Sequence, residues 1–317
     1  MNGYGTVYKL TPRGDLTILV QFDGSDGDYP VGPLVQGSDG RLYGIANAST
    51  NSGGPCVVFS VTTAGTDFTY YVFQDAYIYS DAGLVQGNDG NFYGTVYTNI
   101  AGPGEVFKIT PSPNYARTVM CSFNGSFGSN PYPGPLLATH GNFYGVANSG
   151  GKDGFGTLYE YDADTQKCTD QWDFTAGTDG AYPSAPLIQN TNGVIYGDAQ
   201  KGGSNYGYGA FFEYDIHLKP FVSLLPTSGK VGATVEILGQ GLTGTTAVSF
   251  NGTAAKFTVV SNTYMTAVVP NGATNGFVTV TTPKGTLKSN RQFQVSKKVA
   301  RREKSGRRQN RRYEDCG

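Results

Sequence analysis

Apolar positions along the first two thirds of the chain fall into short runs separated by Gly-rich turns, and one run-turn-run unit returns four times. PLVQGSDGRLYG (residues 33–44) reappears as GLVQGNDGNFYG (83–94), PLLATHGNFYG (135–145) and PLIQNTNGVIYG (186–197). The tyrosines Tyr43, Tyr93, Tyr144 and Tyr196 mark it in steps of 50, 51 and 52 residues. The turns are Asp39-Gly40, Asp89-Gly90, His140-Gly141 and Asn192-Gly193. Asp-Gly and Asn-Gly tolerate positive φ in a tight turn, so each unit is predicted to be a β-hairpin. A third strand carries an aromatic at Tyr8, Phe59, Phe107, Tyr159 and Phe212, and a fourth ends at Phe22, Phe73, Phe123 and Phe174. Four short strands at a strict period predict an all-β, propeller-like array of about four repeats. A stacked sandwich would not demand the period.

The register of the ends is uneven. Residues 1–22 hold only the outer half of a repeat, and the last repeat reaches Phe212 without an outer strand. In a closed four-bladed ring, Thr6–Leu10 and residues 210–214 would compete for one slot. The expectation is therefore an open or strained arc with two exposed strand edges, cut from a longer array. The chain opens on a repeat strand without a leader, so upstream repeats and an export signal are expected to be missing from it. No stretch approaches the ~18 apolar residues of a membrane span.

Beyond residue 218 the pattern changes to alternating apolar residues between Gly and Pro turns, the signature of a small β-sandwich. The order PTSG, then VEILG, VSFNG, VVP and VTVTTPKG resembles the IPT/TIG domain over residues 220–295. That resemblance implies an immunoglobulin-like fold of about seven strands, with Pro226 and Gly229 at the entry turn and Val235, Ile237, Val248 and Phe250 in the core. Residues 296–317 are a basic, low-complexity run expected to be disordered. The domains are read as 1–218, 219–295 and 296–317.

The repeat sequence, G-x-V-[FY]-K-[LI]-T-P followed by PLVQGxDGxLYG, resembles the GloVer tandem repeat family of bacterial surface proteins over residues 3–215. The resemblance implies an extracellular or cell-surface location and no established catalytic residues.

Charge separates along these boundaries. The formal net charge of −1 hides a repeat region at −12, a following domain at +5 and a tail at +6. Phosphates would be repelled by the acidic repeats, so nucleic acid is excluded as their partner, while the tail is suited to anionic surfaces.

Candidate chemistry is sparse. Asp23, Asp26 and Asp28 bring three carboxylates into one turn, the ligand type Ca²⁺ takes, but the equivalent loops lack them. A polar turn is the plainer reading. Tyr43, Tyr93, Tyr144 and Tyr196 would ring a propeller axis and offer platforms to a sugar, or else form core. His140 sits at a hairpin turn and His217 in the linker, and no nucleophile motif accompanies either. Paired Gly residues precede strands, not helices, so no phosphate loop is indicated. Cys56, Cys121, Cys168 and Cys316 share no spacing and read as free thiols rather than a disulfide framework. The reading is a non-enzymatic surface binding or structural protein with a glycan or protein partner and no cofactor. A propeller lyase or hydrolase, or a streptogramin-lyase-like enzyme, is the alternative.

Overall fold

A computed structural model describes residues 3–47, 56–73, 78–98, 103–204 and 207–296, and every element among them is a strand. The basic tail from residue 297 and Cys316 lie outside the described residues. Among the described residues no helix is long and apolar enough to cross a membrane. The chain divides into two compact units, Met1–Lys219 and Pro220–Gly317.

The first unit is a succession of antiparallel sheets. A hairpin of β1 (Thr6–Leu10) and β2 (Leu16–Gln21) comes first. The second sheet runs β3 (Asp28–Gln36), β4 (Leu42–Asn47), β5 (Val57–Val61) and β6 (Thr69–Val72). In the third, β7 (Ile78–Tyr79) and β8 (Val85–Gln86) both pair with β9 (Phe92–Thr98), followed by β10 (Glu105–Ile109) and β11 (Arg117–Ser122). The fourth is β12 (Leu136–Leu137), β13 (Phe143–Ala147), β14 (Thr157–Asp162) and β15 (Lys167–Asp173). The fifth joins β16 (Ala181–Pro183) and β17 (Ile188–Gln189) to β18 (Val194–Lys201), which pairs with β19 (Ala210–Asp215). This is the propeller-like array of four-stranded repeats that the period predicts. Among the described residues β1 pairs only with β2 and β19 only with β18, so the two competing strands share no ladder.

No sheet holds a core of its own; each core lies at a joint between consecutive sheets. Side chains alternate across a strand. Val58 therefore points toward the third sheet, packing with Phe92 and Phe107, while its neighbour Phe59 points back at Val7 and Phe22. The phenylalanine closing one repeat meets the third-strand aromatic of the next, edge to face, at every joint. The pairs are Phe22–Phe59 at 5.2 Å, Phe73–Phe107 at 5.0 Å, Phe123–Tyr159 at 5.1 Å and Phe174–Phe212 at 5.0 Å between centroids. The hairpin tyrosines add a second contact: Tyr43 on Phe92 and Tyr93 on Phe143, both at 4.0 Å.

One joint is also covalently closed, which corrects the reading of free thiols. Cys121 of β11 and Cys168 of β15 form a disulfide, with Cα atoms 5.8 Å apart. They stand at different points of the repeat because they face each other across a joint, where equivalence along the sequence is not required. Cys56 is a buried free thiol.

The second unit is a two-sheet sandwich. One sheet orders β20 (Ser223–Leu225), β22 (Thr234–Leu238), β26 (Tyr264–Val268) and β25 (Phe257–Val259). The other orders β21 (Ser228–Gly229), β28 (Gly285–Val295), β27 (Gly276–Thr282), β23 (Ala247–Phe250) and β24 (Thr253–Ala254). The nine strands exceed the expected seven because β21 and β24 are two-residue edge pieces. Val235, Ile237, Val248 and Phe250 sit in the core as expected, with Phe250 edge-on to Phe293 at 5.0 Å.

Phe107 has a sheet on each side of its joint, whereas Tyr8, at the same repeat position, is exposed. Phe107→Ala should lower the unfolding free energy of this unit by about 3–5 kcal/mol, and Tyr8→Ala should change it by no more than about 0.5 kcal/mol. Urea denaturation at one dilute protein concentration checks both. Equal losses would show that the repeat positions, not the joints, set stability.

Candidate functional site

Where the chain enters the inner strand of each repeat it is rich in proline and glycine. Proline lacks an N–H and fits an interior ladder poorly, so the pairing is irregular here: β3 shifts register against β4 between Val31 and Val35, around Pro33, and the entry segments face one another. Gly134 makes their approach possible: a Cβ there would lie 2.4 Å from the Gly83 carbonyl oxygen. Gly32, at φ +72°, comes as near to the next repeat, where a Cβ would stand 2.6 Å from the Ala82 oxygen. Together these segments, drawn from four consecutive sheets, enclose a cavity of about 480 Å³ lined by residues including Pro33, Leu84, Pro135 and Pro186.

The polar side chains on this lining are Asp81, Tyr132 and Ser184. The Asp81 carboxylate is held from behind, since the Tyr97 hydroxyl donates to its Oδ2 at 2.9 Å. Burial, then the hydrogen bond to Asp81, pushes the Tyr97 phenol well above its ordinary range, so it stays a donor at neutral pH. Tyr132 stands edge-on to Tyr97 with centroids 4.7 Å apart. The cavity thus offers apolar walls, one oriented acceptor and aromatic edges. It lies within the 300–1,000 Å³ range of small-ligand sites.

The four tyrosines singled out by the period are elsewhere. Tyr43, Tyr93 and Tyr144 are buried in joints, so their ring faces are already covered. Their hydroxyls are bound: Tyr43 donates to Asp39 at 2.7 Å, Tyr93 to Asp89 at 2.9 Å and Tyr144 to Glu160 at 2.7 Å. Burial is the main cause raising all three phenols. Tyr196 is half-buried, takes a 3.3 Å bond from Asn192 and stacks on Phe211 of its own sheet at 5.5 Å.

A polar feature shared by the repeats went unread in the sequence. Gln36, Gln86 and Gln189 donate from Nε2 to the hairpin-turn carbonyls of Gly40, Gly90 and Gly193. The last two also reach back across a joint. Gln86 Oε1 accepts from the Ser38 amide and Gln189 Oε1 from the Thr139 amide, each at 2.9 Å. The Gln before three of the four turns was the available signal.

The acidic turn brings Asp23 and Asp26 together, but Asp28 does not join them. Asp23 accepts from the Ser25 amide at 2.9 Å, and Asp26 accepts from the Asp23 amide at 2.9 Å, closing a local turn. Asp28 points away, buried opposite Asn47 in the ladder. No three His, Cys, Asp or Glu side chains among the described residues are placed to hold a metal ion. His140 stands 3.4 Å from the Tyr144 hydroxyl, and His217 is exposed beside Asp215.

Neither oxygen of Asp28 has a hydrogen-bond partner, and burial raises its pKa above 3.8. A carboxyl raised in the folded state binds more protons there than in the unfolded chain. Stability is therefore greatest below the ordinary value and falls as pH rises from about 4 through the raised value. Ala181 occupies the equivalent strand position, so Asp28→Ala should stabilise the unit at pH 7 by about 1–3 kcal/mol. The same change should remove that part of the pH slope. Denaturation of both proteins at pH 4 and pH 7 decides it; a variant less stable at pH 7 would show the carboxylate is satisfied.

Comparison with known proteins follows the same division. A Gloeobacter/Verrucomicrobia repeat model matches residues 79–237, and an IPT/TIG domain model matches residues 221–295. No curated protein sequence matches the chain. Among solved structures, a fungal alcohol oxidase of the AA5 family in complex with copper shares 13% identity at a TM-score of 0.46, covering 93% of this chain and 71% of that one. TolB from Acinetobacter baumannii shares 14% identity at a TM-score of 0.40, covering 82% of this chain and 66% of its own. Likenesses this distant bear on no activity. The repeat model spans more than half of the sequence, and its match coincides with sheets whose period and joints extend back to the first hairpin: the chain belongs to the Gloeobacter/Verrucomicrobia repeat family and carries an IPT/TIG domain after its repeats.

Proposed function

We propose that this chain is a non-catalytic, extracytoplasmic binding protein that takes a glycan into the cavity between its repeats. The carrying observation is the make-up of that cavity. Its walls are proline, alanine and leucine, suited to the C–H faces of a sugar, and Asp81 is an oriented acceptor for sugar hydroxyls. Tyr132 supplies an aromatic edge. A single carboxylate with no second acid or histidine on the lining favours binding over acid–base cleavage, which uses two.

The Cys121–Cys168 disulfide supports an oxidising, extracytoplasmic setting, since such bonds are rare where thiols are kept reduced. The reading needs no cofactor. Contact with an anionic surface falls to the basic residues 296–317, because the repeats carry −12.

Incubating the intact chain with cell-envelope polysaccharide fractions tests this. One fraction should be retained with its chain length unchanged, and Asp81→Ala should weaken retention at least tenfold, as expected for loss of a charged hydrogen bond of about 1.5–3 kcal/mol. Retention of none, or shortening of the polymer by the protein, would overturn the reading.

A further inference from the structure

The joints described above are each made from two different faces. The forward face of a sheet presents Val58, Val106 or Leu158 from its third strand, and all three are at most 1% exposed. The rearward face presents Phe59, Phe107 or Tyr159, again at most 1% exposed. Each interior joint mates one forward face with one rearward face.

Among the described residues, one face of each kind is left uncovered at the two ends of the array. On the first hairpin the rearward positions hold Tyr8, 58% exposed, and Leu10, 59% exposed. The residues equivalent to Leu10 are Val61, Ile109 and Tyr161, all at most 2% exposed. On the fifth sheet the forward positions hold Phe211, 72% exposed, and Ile188, 62% exposed. Tyr196, which stacks on no following sheet among the described residues, lies against Phe211. Isolated exposed apolar residues are ordinary, but two grouped sets at positions that the interior repeats bury, or in the case of Ile188 half-bury at Val35, Val85 and Leu136, are not.

We propose that these faces are the two halves of one joint and that a second copy of this chain occupies each, head to tail. The argument rests on continuity with the interior joints. Forward and rearward faces of this sequence already fit one another in the interior of the array, and a second copy brings the missing partner for each. A joint of two unlike faces is heterologous, so it closes into a ring or continues as a filament instead of stopping at a symmetric dimer. The outer edge of β19, which has no ladder partner among the described residues, lies at the same end and adds main-chain groups to the contact.

Sedimentation velocity of the intact chain over a concentration series reads the association directly. The unsubstituted chain should grow with concentration. Tyr8→Asp and Phe211→Asp should each raise the dissociation constant at least tenfold while leaving thermal unfolding of the dilute protein unchanged, since both side chains are exposed. The decisive arm mixes the two variants. Each keeps one intact face, so an equimolar mixture should form a one-to-one dimer and nothing larger. A chain that stays monomeric at every concentration would overturn the proposal, whether its ends close on each other or stay free. So would association that survives both single substitutions, or a mixture that remains monomeric.

Discussion

The edge-to-face contact between the phenylalanine closing one repeat and the aromatic in the third strand of the next is the constraint from which the rest of the first unit follows. It recurs at four joints with centroid separations of 5.0 to 5.2 Å. Such a pair contributes about 0.5–1.5 kcal/mol beyond the area it buries. Its larger effect is geometric. The two rings come from different repeats, so neither can be buried by its own sheet, and the period must hold for the next ring to arrive in place. A change of length is taken up away from the contact: the third hairpin omits a residue before its turn, and Leu136 there pairs with Tyr144 as Val35 does with Tyr43.

The polar groups obey the same geometry. The hairpin turns lie side by side, and Gln86 and Gln189 satisfy a turn amide of the preceding repeat as well as a carbonyl of their own. The hydroxyls of Tyr43, Tyr93 and Tyr144 are matched by Asp39, Asp89 and Glu160. Arg41 binds Ser60, whose hydroxyl accepts from Tyr115 of the following sheet, so another polar network crosses a joint. Buried polar groups of this kind must be paired or they cost stability. Asp28 and the Tyr159 hydroxyl depart from that rule among the described residues.

What was legible in the sequence was whatever repeats or alternates. The period, the Asp-Gly and Asn-Gly hairpins, both aromatic series and the core positions of the sandwich could all be read from spacing. Features that depend on which strands meet across a joint could not. Cys121 and Cys168 looked unrelated because they were compared along the repeat, yet the contact that pairs them runs between β11 and β15. The tyrosine series was visible, but whether it faced an axis or a neighbouring sheet depended on the stacking direction. The cavity was hidden for the same reason. Its walls are the prolines that read as turn residues, and its acceptor, Asp81, has no counterpart in the repeat pattern.

If joints rather than individual sheets carry the stability of the first unit, native-state hydrogen exchange will show it most directly. The amides of β5, β10 and β14, each belonging to a sheet with neighbours on both sides, should exchange only through opening of the whole unit and share one free energy. Those of β1 and β19 should exchange faster, through local opening of the ends. Protection of β1 and β19 equal to that of β10, or a separate opening free energy for each sheet, would contradict the account.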